Sequence, residues 1–144
     1  MDARGGRHVL ICYDGTAPAR RALARAAELA RPGDMVHVID VMPYPSADTA
    51  TEQRARQATL LEQAQRTLAA AGLQTRSVAA EGDTATELLA AAEAIGADVV
   101  VVALDRERFP HVPGSITDEI VRRANCDVYV VYAHRETGSA GRAP

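Results

Sequence analysis

The chain has 144 residues, 47% of them hydrophobic, a formal net charge of −3 and neither Lys nor Trp. That length suits one compact domain with its own core, which must be aliphatic because aromatics are 3%. No apolar run approaches the roughly 20 residues of a membrane span, and no basic stripe marks a nucleic-acid surface, so both partner classes are excluded as expectations.

Residues 1–6 and 134–144 read as disordered tails around a domain at 7–133. The first element is a buried strand, His8 to Tyr13. Asp14-Gly15-Thr16 follows, and Thr16 can cap a helix with Pro18 in its first turn. That helix presents Ala19, Ala22, Leu23, Ala26 and Ala30 on one face and ends at Arg31-Pro32-Gly33. Met35 to Val41 is a second strand, and Pro43-Tyr44-Pro45-Ser46 opens a longer connection. Thr49-Ala50-Thr51-Glu52 has capping-box spacing and predicts a helix to about Ala71, with Leu60, Leu61, Ala64, Leu68 and Ala71 inward.

Gln74 to Glu81 is a third, more polar strand, as suits a sheet edge. Thr84-Ala85-Thr86-Glu87 is a second capping-box pattern; its helix turns Leu88, Leu89, Ala92 and Ile95 inward and stops at Gly96. Asp98 to Leu104 holds the most apolar run, Val99 to Val102, which predicts a central strand covered on both faces. After a loop at 103–115, a last helix is expected to bury Ile116, Ile120 and Ala124, and Asp127 to Tyr132 forms the fifth strand.

Strand–helix alternation without hairpin signals predicts an α/β fold: one three-layer domain, a five-stranded parallel sheet in the order 3-2-1-4-5, helices on both faces. Such sheets bind ligands at the carboxyl ends of strands where the order reverses. Here the first and fourth strands meet, so Asp14-Gly15-Thr16 and the 103–115 loop flank the expected cleft. Asp14 is either a cleft residue or the partner of an Asx-type turn. Gly114-Ser115 is either an anion site at a helix start or a loop exit and N-cap. Arg106, Arg108 and His111 are the loop's cationic or titratable candidates, and Phe109 is expected to pack against a neighbour.

Cys12 and Cys126 are in no metal spacing and are expected to be free thiols. His8, His37 and His134 are expected to be structural. The start of the chain lacks the apolar stretch of a signal peptide, which predicts a cytoplasmic protein. Motifs of dinucleotide, P-loop, nucleophile-elbow and zinc-protease sites are missing, so no catalytic or metal residue is assigned and no enzyme activity is expected.

This layout resembles the universal stress protein family over about residues 7–133. The resemblance is carried by Asp14-Gly15-Thr16, Val41 with Pro43, Gly82-Asp83, Gly96 before Asp98 to Val102, and Gly114-Ser115 leading to Cys126-Asp127 and the last strand. It implies a homodimer through the 127–132 strand and a role in stress response. In the nucleotide-binding branch, Asp14 would match the carboxylate that contacts the nucleoside and Val41 the backbone position that contacts adenine. The family's phosphate loop, G-x2-G-x9-G-(S/T), retains only Gly114 and Ser115. Counted back from Gly114, its other glycines fall on Leu104 and Val101; aligned from the strand end, they fall on Ala103 and Arg106, with seven residues, Glu107 to Pro113, before Gly114. Pro110 and Pro113 lack N–H donors, and Asp105 and Glu107 are acidic. The expected function is therefore a small non-enzymatic dimeric domain that binds a small ligand or partner, needs no cofactor and has a degenerate ATP loop. The alternative is an adenine-nucleotide-binding regulator. The candidate nucleotide or anion site comprises Asp14, Gly15, Val41, Arg106, Gly114, Ser115 and Ile116.

Overall fold

The computed structural model describes residues 5–105 and 115–133. Strands β1 (His8–Cys12), β2 (Met35–Met42), β3 (Gln74–Glu81), β4 (Val99–Asp105) and β5 (Asp127–Ala133) alternate with helices α1 (Ala17–Leu29), α2 (Ala50–Ala70), α3 (Thr84–Ile95) and α4 (Ile116–Arg123). The strands form one parallel sheet in the order β3-β2-β1-β4-β5, as the alternation predicts.

Alternation along the strands divides the core into two layers. Val9, Ile11, Val36, Val38 and Val101 pack with α1 and α2 through Ala22, Leu23, Leu61 and Leu68. Leu10, Ile39, Val100 and Val102 pack on the other face with Leu88 and Ala92 of α3 and Ile120 of α4. β1 lies between β2 and β4, so its residues are covered on both faces and both edges.

Several local expectations need correction. Thr49 occupies the N-cap of α2 but makes no side-chain cap bond; its hydroxyl lies 2.9 Å from Ser46 Oγ instead. In the second capping-box pattern, Asp83 rather than Thr84 caps α3, accepting from the Thr86 amide at 3.0 Å. A carboxylate is the stronger acceptor, and it moves the helix start one residue earlier. Ala71 is exposed; Gln57 completes the inward row with Leu61, Ala64 and Leu68. Ile116, expected inside, is 51% exposed because only Ile120 of α4 reaches the core. Gly6, counted with the N-terminal tail, donates its amide to Gly33 O at 3.1 Å. Residues 1–4 and 134–144 lie outside the described residues.

His8 Nδ1 and His37 Nε2 are 3.0 Å apart on the α3 side of the sheet. One ring must donate and the other accept, so at least one stays neutral. Burial, then the charges of His8 and Arg76, push the His37 pKa below its ordinary 6.5. As pH falls through 6.5, the unfolded chain gains a proton that folded His37 refuses. Its contribution to stability is thus full above that pH and is lost towards the lower folded value. The expected result is a urea midpoint that falls between about pH 7 and 5, less steeply in His37→Gln. Equal slopes in both proteins would show that His37 is not the titrating group.

Candidate functional site

The sequence around Asp14 builds a tight turn at the carboxyl end of β1. Tyr13 still donates its amide to Ile39 O at 2.8 Å, so the chain follows β2 one residue past the strand. Asp14 Oδ1 then accepts from Thr16 N at 3.0 Å and from Thr16 Oγ1 at 2.6 Å. Thr16 Oγ1 in turn accepts from Ala19 N at 3.3 Å and caps α1. Gly15 has φ +82°, and a Cβ there would come within 2.6 Å of Leu60 Cδ2. Glycine allows this backbone and lets the turn lie against α2. Arg20 Nη1 donates to the Gly15 carbonyl at 2.7 Å. Of the two readings of Asp14 the structure shows the turn: Oδ1 serves it, and Oδ2 has no partner among the described residues.

Beside this turn, the end of β2 and the start of α2 enclose a cleft of about 410 Å³. Its floor includes Asp40, Gln57 and Leu60, and Tyr44 and Arg56 lie on its rim. Asp40 is only 7% exposed. Gln57 Nε2 donates to Asp40 O at 2.9 Å and Ala80 O at 3.0 Å, tying α2 to the ends of β2 and β3. Burial pushes the Asp40 carboxyl above the usual carboxylate range; the Gln57 amide opposes the shift and the Asp14 charge adds to it. The same two carboxylates act on Cys12, whose thiol is pushed up to about 12 by burial, then Asp14, then Asp40. Cys12 is a free thiol, and so is Cys126, which burial and then Asp127 and Asp98 push above the usual range. Neither is a ready nucleophile.

Val41 is not on this side. Its side chain packs into the layer of α3 and α4, because neighbours in a strand point to opposite faces. Asp40 and Met42 face the cleft instead.

At the next loop, Ser115 Oγ accepts from Asp118 N at 3.1 Å and caps α4. Thr117 Oγ1 donates to Ala103 O at 3.2 Å, fastening the helix start to the end of β4. Ile116 leads the helix with its side chain exposed. β1 and β4 are hydrogen-bonded neighbours, so Asp14 and the chain leading towards Ser115 leave adjacent strands. Arg106 and Gly114 lie outside the described residues, with Arg108, Phe109 and His111. Among the described residues, no three His, Cys, Asp or Glu side chains gather as a metal site, and no helix is long and apolar enough to cross a membrane.

Asp40 and Gln57 escaped the sequence reading. Each carried a signal. Asp40 is the single acidic residue in the strand Met35 to Met42, where an ionisable group is unusual. Gln57 is a polar residue in the 57, 61, 64, 68 row that α2 buries.

The family model of the universal stress proteins matches residues 6–132. The chain belongs to the universal stress protein family. No curated protein matches it in sequence. Solved structures of the same fold include hypothetical protein MJ0577, 16% identical, with a TM-score of 0.81 over 90% of this chain and 98% of that one. A universal stress protein in complex with cAMP is 20% identical, with a TM-score of 0.70 over 89% and 98% of the two chains. The universal stress protein of Archaeoglobus fulgidus in complex with dAMP is 21% identical, with a TM-score of 0.69 over 88% and 98%. At these identities the likeness speaks for the fold alone, a parallel α/β sheet.

Proposed function

We propose that this universal stress protein is a non-enzymatic dimeric binding domain that takes a small ligand or partner at the carboxyl ends of β1, β2 and β4 and binds ATP poorly. One observation carries this reading. Asp14 and Asp40 stand at the ends of neighbouring strands, and neither has a cationic partner among the described residues. A triphosphate entering there meets two carboxylates with no compensating charge from the floor. The sequence of the following loop points the same way. It has the two prolines and acidic residues noted above and lacks the first two glycines of the family motif. Titration calorimetry with ATP and Mg²⁺ is expected to give a dissociation constant weaker than about 100 μM. Micromolar binding that disappears in Asp14→Ala would overturn the proposal.

That outcome would favour the second reading, an adenine-nucleotide-binding regulator using Asp14, Val41 and the Gly114-Ser115 helix start with Arg106. Two structural neighbours are complexes with cAMP and dAMP, each carrying one phosphate. A single phosphate asks less of a loop than three do. The start of α4, from Ser115 and Ile116, supplies the positive end of a helix dipole. AMP binding tighter than ATP would fit this reading.

Dimerisation is supported by the edge strand. Among the described residues β5 pairs with β4 on one side only, and Tyr129 and Tyr132 are 37% and 46% exposed. A sheet-edge strand with exposed tyrosines suits antiparallel pairing of residues 127–132 about a two-fold axis. Light scattering at tens of micromolar, roughly the range where a standard interface is saturated, is expected to give twice the chain mass. A monomer at that concentration would count against the β5 interface.

A further inference from the structure

We infer that the cleft between β2 and α2 selects the cationic or N–H-donating end of a small organic ligand, with the Asp40 carboxylate as the selecting group. This inference rests on the reading of this end of the sheet as a ligand cleft.

The polar groups of the floor are acceptors. Asp40 is buried, lines the cleft, has the Gln57 amide as its hydrogen-bonding neighbour and makes no ion pair among the described residues. Gln57 is 5% exposed, and its amide nitrogen is committed to two main-chain carbonyls. Those carbonyls fix the orientation of the amide, because only the nitrogen can donate to them. The remaining end of Gln57 is Oε1, an acceptor with no partner among the described residues. On the rim, the Ser46 and Thr49 hydroxyls bond each other at 2.9 Å. A buried acceptor set is satisfied by donors, and a buried carboxylate best by a charged donor. Asp14 adds negative potential from the end of β1.

Arg56 is the cleft's one cationic residue among the described lining. It is exposed on the rim, where water and salt screen it more than they screen a buried carboxylate. The polarity of the site is therefore donor-in, with any anionic group of the ligand left outside, within reach of the rim.

Three probes of one shape test this: benzamidine, benzamide and benzoate, followed by NMR shifts of the Asp40, Gln57 and Leu60 signals at pH 7.5. Benzamidine is expected to saturate these signals with a dissociation constant of about 1 mM, typical of a nine-heavy-atom fragment. Benzamide should bind more weakly, and benzoate should leave all three residues unshifted. In Asp40→Asn, benzamidine should weaken about tenfold or more. Benzoate or benzamide binding at these residues as well as benzamidine overturns donor selection but leaves the ligand cleft standing. Failure of all three probes to shift them overturns both the selection and the cleft. Unchanged benzamidine affinity in Asp40→Asn also overturns the role of Asp40. The comparison of probes needs no variant, so it decides the question whether or not Asp40→Asn folds.

Discussion

Asp34→Ala is expected to lower folding stability by about 3 kcal/mol at neutral pH, the cost of stranding several donors to one buried carboxylate. Asp34 is 3% exposed in the turn before β2. Its Oδ1 accepts from Arg7 N at 2.8 Å, and its Oδ2 from Arg31 N at 2.9 Å and Arg7 Nη2 at 3.1 Å. Arg7 Nη2 also reaches Leu29 O at 3.2 Å. One side chain thus ties the entry to β1, the end of α1 and the entry to β2. Burial pushes the carboxyl up, and the Arg31 and Arg7 amides with the Arg7 guanidinium more than reverse this, holding it below the usual range. A depressed folded pKa means that this stabilisation is complete above the unfolded value near 3.8 and is lost as pH falls through the folded one. Urea unfolding of both proteins measures it. The gap between them should be widest at neutral pH and should narrow below about pH 4. A gap unchanged at pH 3 would show that charge has no part in it, and a gap under about 1 kcal/mol would show that the turn is held by other bonds.

Leu10→Ala is expected to cost about 3–5 kcal/mol, the upper part of the range for a buried leucine. Leu10 is 0% exposed and pairs with His37 on one side and Val100 on the other. It packs with Ile39, Leu88 and Ile120 between the sheet and α3 and α4. Strands on both sides hinder collapse around the lost side chain, so the cavity stays. Leu29→Ala, at a site 36% exposed on α1, serves as the contrast and should cost under about 1 kcal/mol. Similar losses in the two variants would mean that the β1 layer relaxes and is not the rigid centre of the fold.

The readable parts of the fold were those set by local pattern. Val99 to Val102 could only be a strand covered on both faces, and its place beside β1 followed from parallel topology. Thr16 was legible as a cap because it precedes Pro18 and an apolar helical face. For Gly114-Ser115 the sequence left an anion site and an N-cap open, and Ser115 does cap α4. Thr84 was misread because Asp83, one residue earlier, competes for the same amides and holds them with a charge. Ile116 was misread because α4 has only eight residues and meets the core along one short line through Ile120. The first competition lies between adjacent residues; the second is not visible in a single stretch of sequence.

By itself the sequence determined the element order, the parallel sheet, the lack of catalytic motifs and the Thr16 cap of α1. These depend on hydrophobic period, on caps and on glycine, all within a few residues of each other. Only the tertiary structure decided what faces the cleft. Val41 and Asp40 are adjacent in the chain, yet the strand sends one into the α3 layer and the other towards α2. Gln57 acquires its role only because α2 crosses the ends of β2 and β3, where their carbonyls need a donor. The acid pair at the strand ends comes from residues 26 positions apart, Asp14 and Asp40, joined by the pairing of β1 with β2. Such a site depends on which strands are neighbours and on which face each side chain takes, and both are set by packing of the whole domain.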